Sequence, residues 1–193
     1  MATEFDELNV LEKNVDAFVE NVESIANEPN RAMMRDEIED DLEDLLIMAY
    51  AMGNDYAKRV LGIEDEQANI SKMRDIIDEP IDGKTWKDRI REHVADGDFG
   101  LIKTVIQSET DRVYNEAVQQ TAEDSGIPNI YKTWVTMHDD RVRDEHDVLE
   151  GVTLPLNKRF YTLDGDSALR PMGFSSARLN CNCRCKLRIS RKG

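Results

Sequence analysis

The feature that most constrains the fold of this 193-residue chain is a change of hydrophobic period at Asp124-Ser125-Gly126-Ile127-Pro128. Upstream, apolar residues recur every three or four positions, the spacing of amphipathic helices. Downstream, they recur every second position, the spacing of strands. Gly126 and Pro128 punctuate the switch. The pattern predicts an α+β fold with a mostly helical N-terminal two thirds, residues 1–127. A small C-terminal α+β domain with a short antiparallel sheet follows, residues 128–193.

Six helical stretches are legible before the switch. Leu8, Leu11, Val15, Phe18, Val22 and Ile25 form one stripe, which Glu28-Pro29-Asn30 breaks. Met34, Ile38, Leu42, Leu45, Ala49 and Met52 form a second, with Gly53-Asn54 expected as its C-cap and Asp55 to Leu61 as a short separate helix. Asn69 to Ile77 is a short helix stopped by Pro80. Thr85 is placed to cap a helix carrying Trp86, Ile90 and Val94. Leu101 to Gln120 forms the last. Gly83-Lys84-Thr85 is not a phosphate loop, because Asp78 stands where the first glycine of that motif belongs.

After the switch, Ile130 to Met137 reads as a strand with Trp134 and Val135 on opposite faces. Asp139 is expected to cap a helix of about ten residues with Val142, His146 and Leu149 on its inner side and Gly151 just past its end. Val152 to Leu154 and Phe160 to Thr162 read as short strands. In Ala177 to Ser190 the alternation is strict. Leu179, Cys181, Cys183, Cys185, Leu187 and Ile189 are expected to face inward, and Asn180, Asn182, Arg184, Lys186 and Arg188 outward.

Charge is unevenly spread. The formal charge of -15 divides into -19 over residues 1–130 and +4 over residues 131–193. The acidic part repels free nucleic acid and suits a basic protein partner. Arg184, Lys186, Arg188, Arg191 and Lys192 form the one basic cluster, either a solvated strand face or a weak DNA (phosphate) contact in the tail. No stretch approaches the roughly 20 apolar residues of a membrane span, and no secretory signal is evident. Three cysteines do not make a disulfide framework. The expectation is a protein made in a reducing cytoplasm.

Two chemistries are worth weighing. His146, Cys183 and Cys185, with Cys181 or His138 as a fourth ligand, offer the donors of a structural zinc site. Against it, residues two apart on an ideal strand sit roughly 6.5–7 Å apart, too wide for a tetrahedral site. The alternative for these cysteines is a role as small buried hydrophobes. Separately, His146 lies among Asp139, Asp140, Asp144, Glu145, Asp147 and Glu150 with Arg141 and Arg143 close in sequence, a composition suited to acid–base cleavage of a phosphodiester. The structural alternative has Trp134 as a core anchor, Arg141 and Arg143 holding loops, Arg143 and Asp147 as an i,i+4 pair, and Asn182 capping a turn.

The ordered run Lys132-Thr133-Trp134, Asp139, Arg141-Val142-Arg143, His146 and Leu149-Glu150-Gly151 resembles the K-x-W-x-x-x-x-D-x-R-V-R-x-x-H-x-x-L-[DN]-G signature of the phage head morphogenesis proteins, the Mu F-like minor head (minor capsid) family. Asn182-Cys183-Arg184-Cys185-x-Leu187 resembles that family's N-C-R-C-x-L ending. Phe160 and Pro171 fall where the family places a phenylalanine and a proline. Upstream, Ile81-x-Gly83 and Ser108-Glu109-Thr110-x-Arg112-x-Tyr114-Asn115 are similar to its I-x-G and T-E-T-x-R-x-Y-N stretches. Glu150 replaces the usual Asp or Asn, Ser108 the common Thr, and Cys181 is an extra thiol. The resemblance covers roughly residues 81–187. It implies a non-enzymatic virion protein, inside the capsid and in the host cytoplasm during assembly. Its implied partners are the portal protein and other head proteins, with a role in head morphogenesis or DNA delivery. The competing expectation is a small nuclease or effector delivered with the DNA and using His146 with Arg141 or Arg143.

Overall fold

The computed structural model describes residues 4–25, 30–64 and 69–191, and side chains from residue 10 onward apart from those of residues 23 and 25. The fold is α+β: helices dominate the N-terminal part and a small antiparallel sheet follows. Leu8, Ile25, Glu28 and Pro29, which frame the first predicted helix, lie outside the residues described at side-chain level. The remainder of that stripe behaves as expected. Helix α1 (Glu4–Ile25) buries Leu11, Val15, Phe18 and Val22 and packs on α2 (Arg31–Leu61).

Helix α2 corrects the reading of Gly53-Asn54 as a cap. It runs unbroken to Leu61 and ends at Gly62, whose φ of 69° supplies the left-handed cap. Gly53 instead marks the closest approach to α5 (Phe99–Asp124): a Cβ there would lie 2.5 Å from the Tyr114 carbonyl oxygen. Asn54 faces the same helix and donates to Thr121 Oγ1 at 2.9 Å. A glycine inside a helix costs about 1 kcal/mol of propensity. Here helix-on-helix contact overrides that cost.

The other helices follow their caps. Asn69 accepts from the Lys72 amide at the start of α3 (Ile70–Ile77). Thr85 and Asp88 form a reciprocal capping box on α4 (Trp86–Asp96), which buries Trp86, Ile90 and Val94. Arg31 ties the start of α2 to the end of α4 by donating to the Val94 carbonyl at 2.6 Å.

The sheet has order β2-β1-β5, all antiparallel, with β1 (Ile130–Val135) in the middle. Its partners are β2 (Thr153–Pro155) and β5 (Lys186–Arg191), and Trp134 stands opposite Leu187. The connection from β1 to β2 carries a single turn of helix, α6 (Asp144–Asp147). This is shorter than the ten-residue helix expected from Asp139, because Asp139 to Val142 form a turn and Arg143 takes the cap position. A separate two-stranded ribbon joins β3 (Phe160–Tyr161) to β4 (Ser167–Ala168), the latter not legible in the sequence.

The strict alternation of Ala177 to Ser190 is not one strand. It resolves into a helical turn, α7 (Ala177–Asn180), a tight reversal through Asn182 at φ 55°, an extended lead-in, and then β5. Leu179, Cys183, Cys185, Leu187 and Ile189 are buried as expected, whereas Cys181 is exposed. Lys186, expected outward, is buried, because α5 packs against the sheet at this point.

Candidate functional site

The register of the sheet explains why His146 meets the cysteines. Strand β5 starts at Lys186 opposite Val135, where β1 ends. Residues 183–185 therefore lie just beyond that end of the sheet, where the connection carrying α6 also departs. The Nδ1 of His146 stands 3.6 Å from Cys183 Sγ and 3.6 Å from Cys185 Sγ. All three ligand atoms lie within 4.8 Å of one another, and all three residues are buried. An ideal strand at Cys183 and Cys185 would hold the two residues too far apart for this convergence. The chain there is an irregular lead-in that brings both sulfurs to one side.

Aromatic rings wall the imidazole. His146 stacks on Phe174 at 5.7 Å and meets the edge of Trp134 at 5.5 Å. Trp134 is in turn packed against Phe160 at 5.3 Å and Phe174 at 5.5 Å. The Nε2 of His146 is buried without a hydrogen-bond partner, which leaves Nδ1 as the polar atom engaged with a neighbour. The Cys185 thiol beside Cys183, with His146 next to it, holds Cys183 well below the usual thiol range against the opposing effect of burial. Cys183 and burial push Cys185 up. A small cavity bordered by Met137, Arg143, His146, Cys183 and Cys185 has room for one water-sized occupant.

The remaining signature residues fasten the segments that carry this cluster. Arg184 grips both carboxylate oxygens of Asp139 at 2.7 and 2.8 Å, and this contact holds the Asp139 carboxyl below the usual range. Arg143 donates to the Cys181 carbonyl, as expected of a loop-holding arginine. Gly151, at φ 70°, donates its N–H to the Trp134 carbonyl at 2.9 Å. Asn182 contributes its backbone: its N–H donates to Ser108 Oγ at 3.1 Å. Glu150 accepts from the Thr136 amide at 2.6 Å. Arg141 is exposed, and its backbone N–H donates to Asp139.

Two candidate ligands stay outside the cluster. Cys181 is exposed. His138 is 63% exposed and faces Glu150. Of the predicted acid–base constellation, Arg141 and Arg143 border the same small cavity as His146, but His146 is 1% exposed and turned toward sulfur, and Glu145 pairs with Arg178 on the surface. Within the basic tail, Arg184 is paired with Asp139 and Lys186 is buried against Asp111. Lys192 lies outside the described residues.

Sequence reasoning noted the stretch from Ser108 to Asn115 but not its role. It is a buried polar seam along α5. Asn115, fully buried, accepts from the Leu187 amide at 2.7 Å and donates to the Cys185 carbonyl at 3.0 Å. Arg112 donates to the carbonyls of Ile76 and Ile77 and pairs with Glu109, which also pairs with Arg89. Tyr56 of α2 accepts from the Ile189 amide at 3.2 Å. Of these, Asn115 and Tyr56 satisfy backbone groups on the outer edge of β5 and its lead-in, which no strand covers among the described residues. Lys132 is likewise buried, with Nζ 3.4 Å from Gln119 Oε1 and 5.5 Å from the Phe160 ring centre. Burial pushes it down to about 8, with Glu123 opposing. The signal available was polar residues at helical core positions.

Among the described residues no helix is long and apolar enough to cross a membrane. No curated protein and no solved structure matches the chain. The profile of the family described as "Phage Mu protein F like protein" matches residues 64–188. That span holds the polar seam, the Trp134 box, the His146–Cys183–Cys185 cluster and the Asp139–Arg184 clamp. The chain belongs to the phage Mu protein F-like family, whose members point to phage head morphogenesis.

Proposed function

We propose that this protein is a minor head protein, a virion component that docks on the portal inside the capsid and assists head assembly or DNA delivery. The observation that carries the reading is family membership over residues 64–188. In this reading the acidic helical part, residues 1–127, supplies the partner-binding surface. The α+β part, residues 128–193, is the compact unit organised by the signature residues. A charge of -19 over residues 1–130 disfavours DNA and favours a basic protein surface. A weak DNA contact through the tail would not draw on Arg184 or Lys186, which are paired with Asp139 and Asp111. The burial of His146 against thiols and rings speaks for a structural histidine over a nuclease base.

The test is co-expression with the portal protein of the same phage, followed by affinity purification at increasing salt. The reading expects a stable complex that weakens as salt screens the acidic surface. A chain that never co-purifies with the portal, while cleaving RNA or DNA in a His146-dependent manner, would replace it with the effector reading.

A further inference from the structure

We infer that His146, Cys183 and Cys185 form a three-ligand site for zinc, which clips the α6 connection to the lead-in of β5. A zinc ion with Zn–S of about 2.3 Å and Zn–N of about 2.0–2.1 Å at tetrahedral angles sets its nitrogen and sulfur ligands about 3.6 Å apart. Both observed N···S distances are 3.6 Å. Both N···S edges therefore already have the length a tetrahedral ion requires.

The donor chemistry agrees with the geometry. Two thiols and an imidazole nitrogen are the donors zinc prefers over harder cations. All three are buried, where unpaired polar atoms are costly and a shared cation offsets that cost. The site is also prepared by its surroundings. Phe174 and Trp134 fix the ring plane, so Nδ1 points at the sulfurs without rotamer freedom. Arg184 on Asp139 and Asn115 on Cys185 fix the backbone on either side of the thiols.

The fourth position faces the small cavity beside Met137 and Arg143, which takes one water-sized ligand. Cys181 does not supply it: the residue is exposed and its carbonyl is held by Arg143. The ligands lie 37 and 39 residues apart in sequence, so the ion closes a long loop and stabilises the folded state by its binding energy.

The test uses the full chain purified under reducing conditions without added metal. Elemental analysis should find one zinc per chain. After chelation and refilling with cobalt(II), the spectrum should show thiolate-to-metal charge transfer and the strong visible bands of a tetrahedral ion. Cys183→Ser and Cys185→Ser should reduce metal content to background, and Cys181→Ser should leave it unchanged. If the first two variants do not fold, the wild-type cobalt spectrum and the Cys181→Ser protein still decide. Three results overturn the site: wild-type protein that takes up neither zinc nor cobalt, loss of metal in Cys181→Ser, or a Cys181→Ser protein with an intact mass two hydrogens lighter, which would make Cys183 and Cys185 a disulfide.

Discussion

Replacing Asn115 with alanine tests whether the polar seam of α5 holds the last strand in place. The amide side chain makes two hydrogen bonds to β5 and its lead-in, at 2.7 Å to the Leu187 N–H and 3.0 Å to the Cys185 carbonyl. Both backbone groups sit on the side of β5 away from β1, and the site is fully buried. Truncation strands one donor and one acceptor without access to water. Each stranded group costs about 1–3 kcal/mol, so the expected loss is about 2–6 kcal/mol. With a urea m-value of about 2 kcal/mol/M, the midpoint should fall by about 1–3 M. Urea unfolding followed by tryptophan fluorescence is a suitable assay, because Trp86 and Trp134 are both fully buried, one in the helical part and one beside the sheet. The exposed Thr153→Ala, on the far strand, should cost no more than about 1 kcal/mol. A loss below about 1 kcal/mol for Asn115→Ala would refute the reasoning, since it would mean the β5 edge finds other partners.

Three further outcomes follow from particular contacts. Gly53→Ala should destabilise by about 1–3 kcal/mol by thermal unfolding, because its Cβ meets the Tyr114 carbonyl; stabilisation, as helix propensity alone predicts, would contradict the helix contact. Lys132 has its folded-state value pushed down to about 8 from 10.5, so the unfolded chain binds the proton more readily between those values. Stability due to this group therefore rises with pH through that window. Lys132→Met should gain about 1–2 kcal/mol near neutral pH, and the gain should shrink toward pH 10.5, as read by unfolding at several pH values. Asp139 is held low by Arg184, so its contribution is present above the usual carboxylate range and is lost as pH falls through its folded value. Asp139→Asn should therefore differ from wild type at neutral pH and converge with it in acid.

The legible and illegible parts of this fold divide by the range of the interaction that decides them. Thr85 with Asp88, Asn69, and the stripe from Met34 to Ala49 are local signals, and each forms the element its spacing implies. Gly53 reads as a helix end because only the backbone of Tyr114, sixty-one residues away, explains a glycine there. The alternation from Leu179 to Ile189 fits a strand equally well as a turn, a reversal and a shorter strand. What selects the latter is Asn182 in the left-handed region, with its amide on Ser108 and Arg143 on Cys181. The meeting of His146 with Cys183 and Cys185 was visible as a choice of residue types. Its geometry depended on the register of β5 on β1, which no local pattern encodes. Lys132, Asp111 and Lys186 look like surface charges in the sequence, and become buried because α5 packs on the sheet.

The central claim is that this chain is a component of the phage particle. The most direct test is quantitative mass spectrometry of purified particles from the source phage, counting this chain against the portal and the major capsid protein. A few copies per particle, at or below the portal count, are expected. Absence from particles, with the chain found only in infected cytoplasm, would contradict the claim.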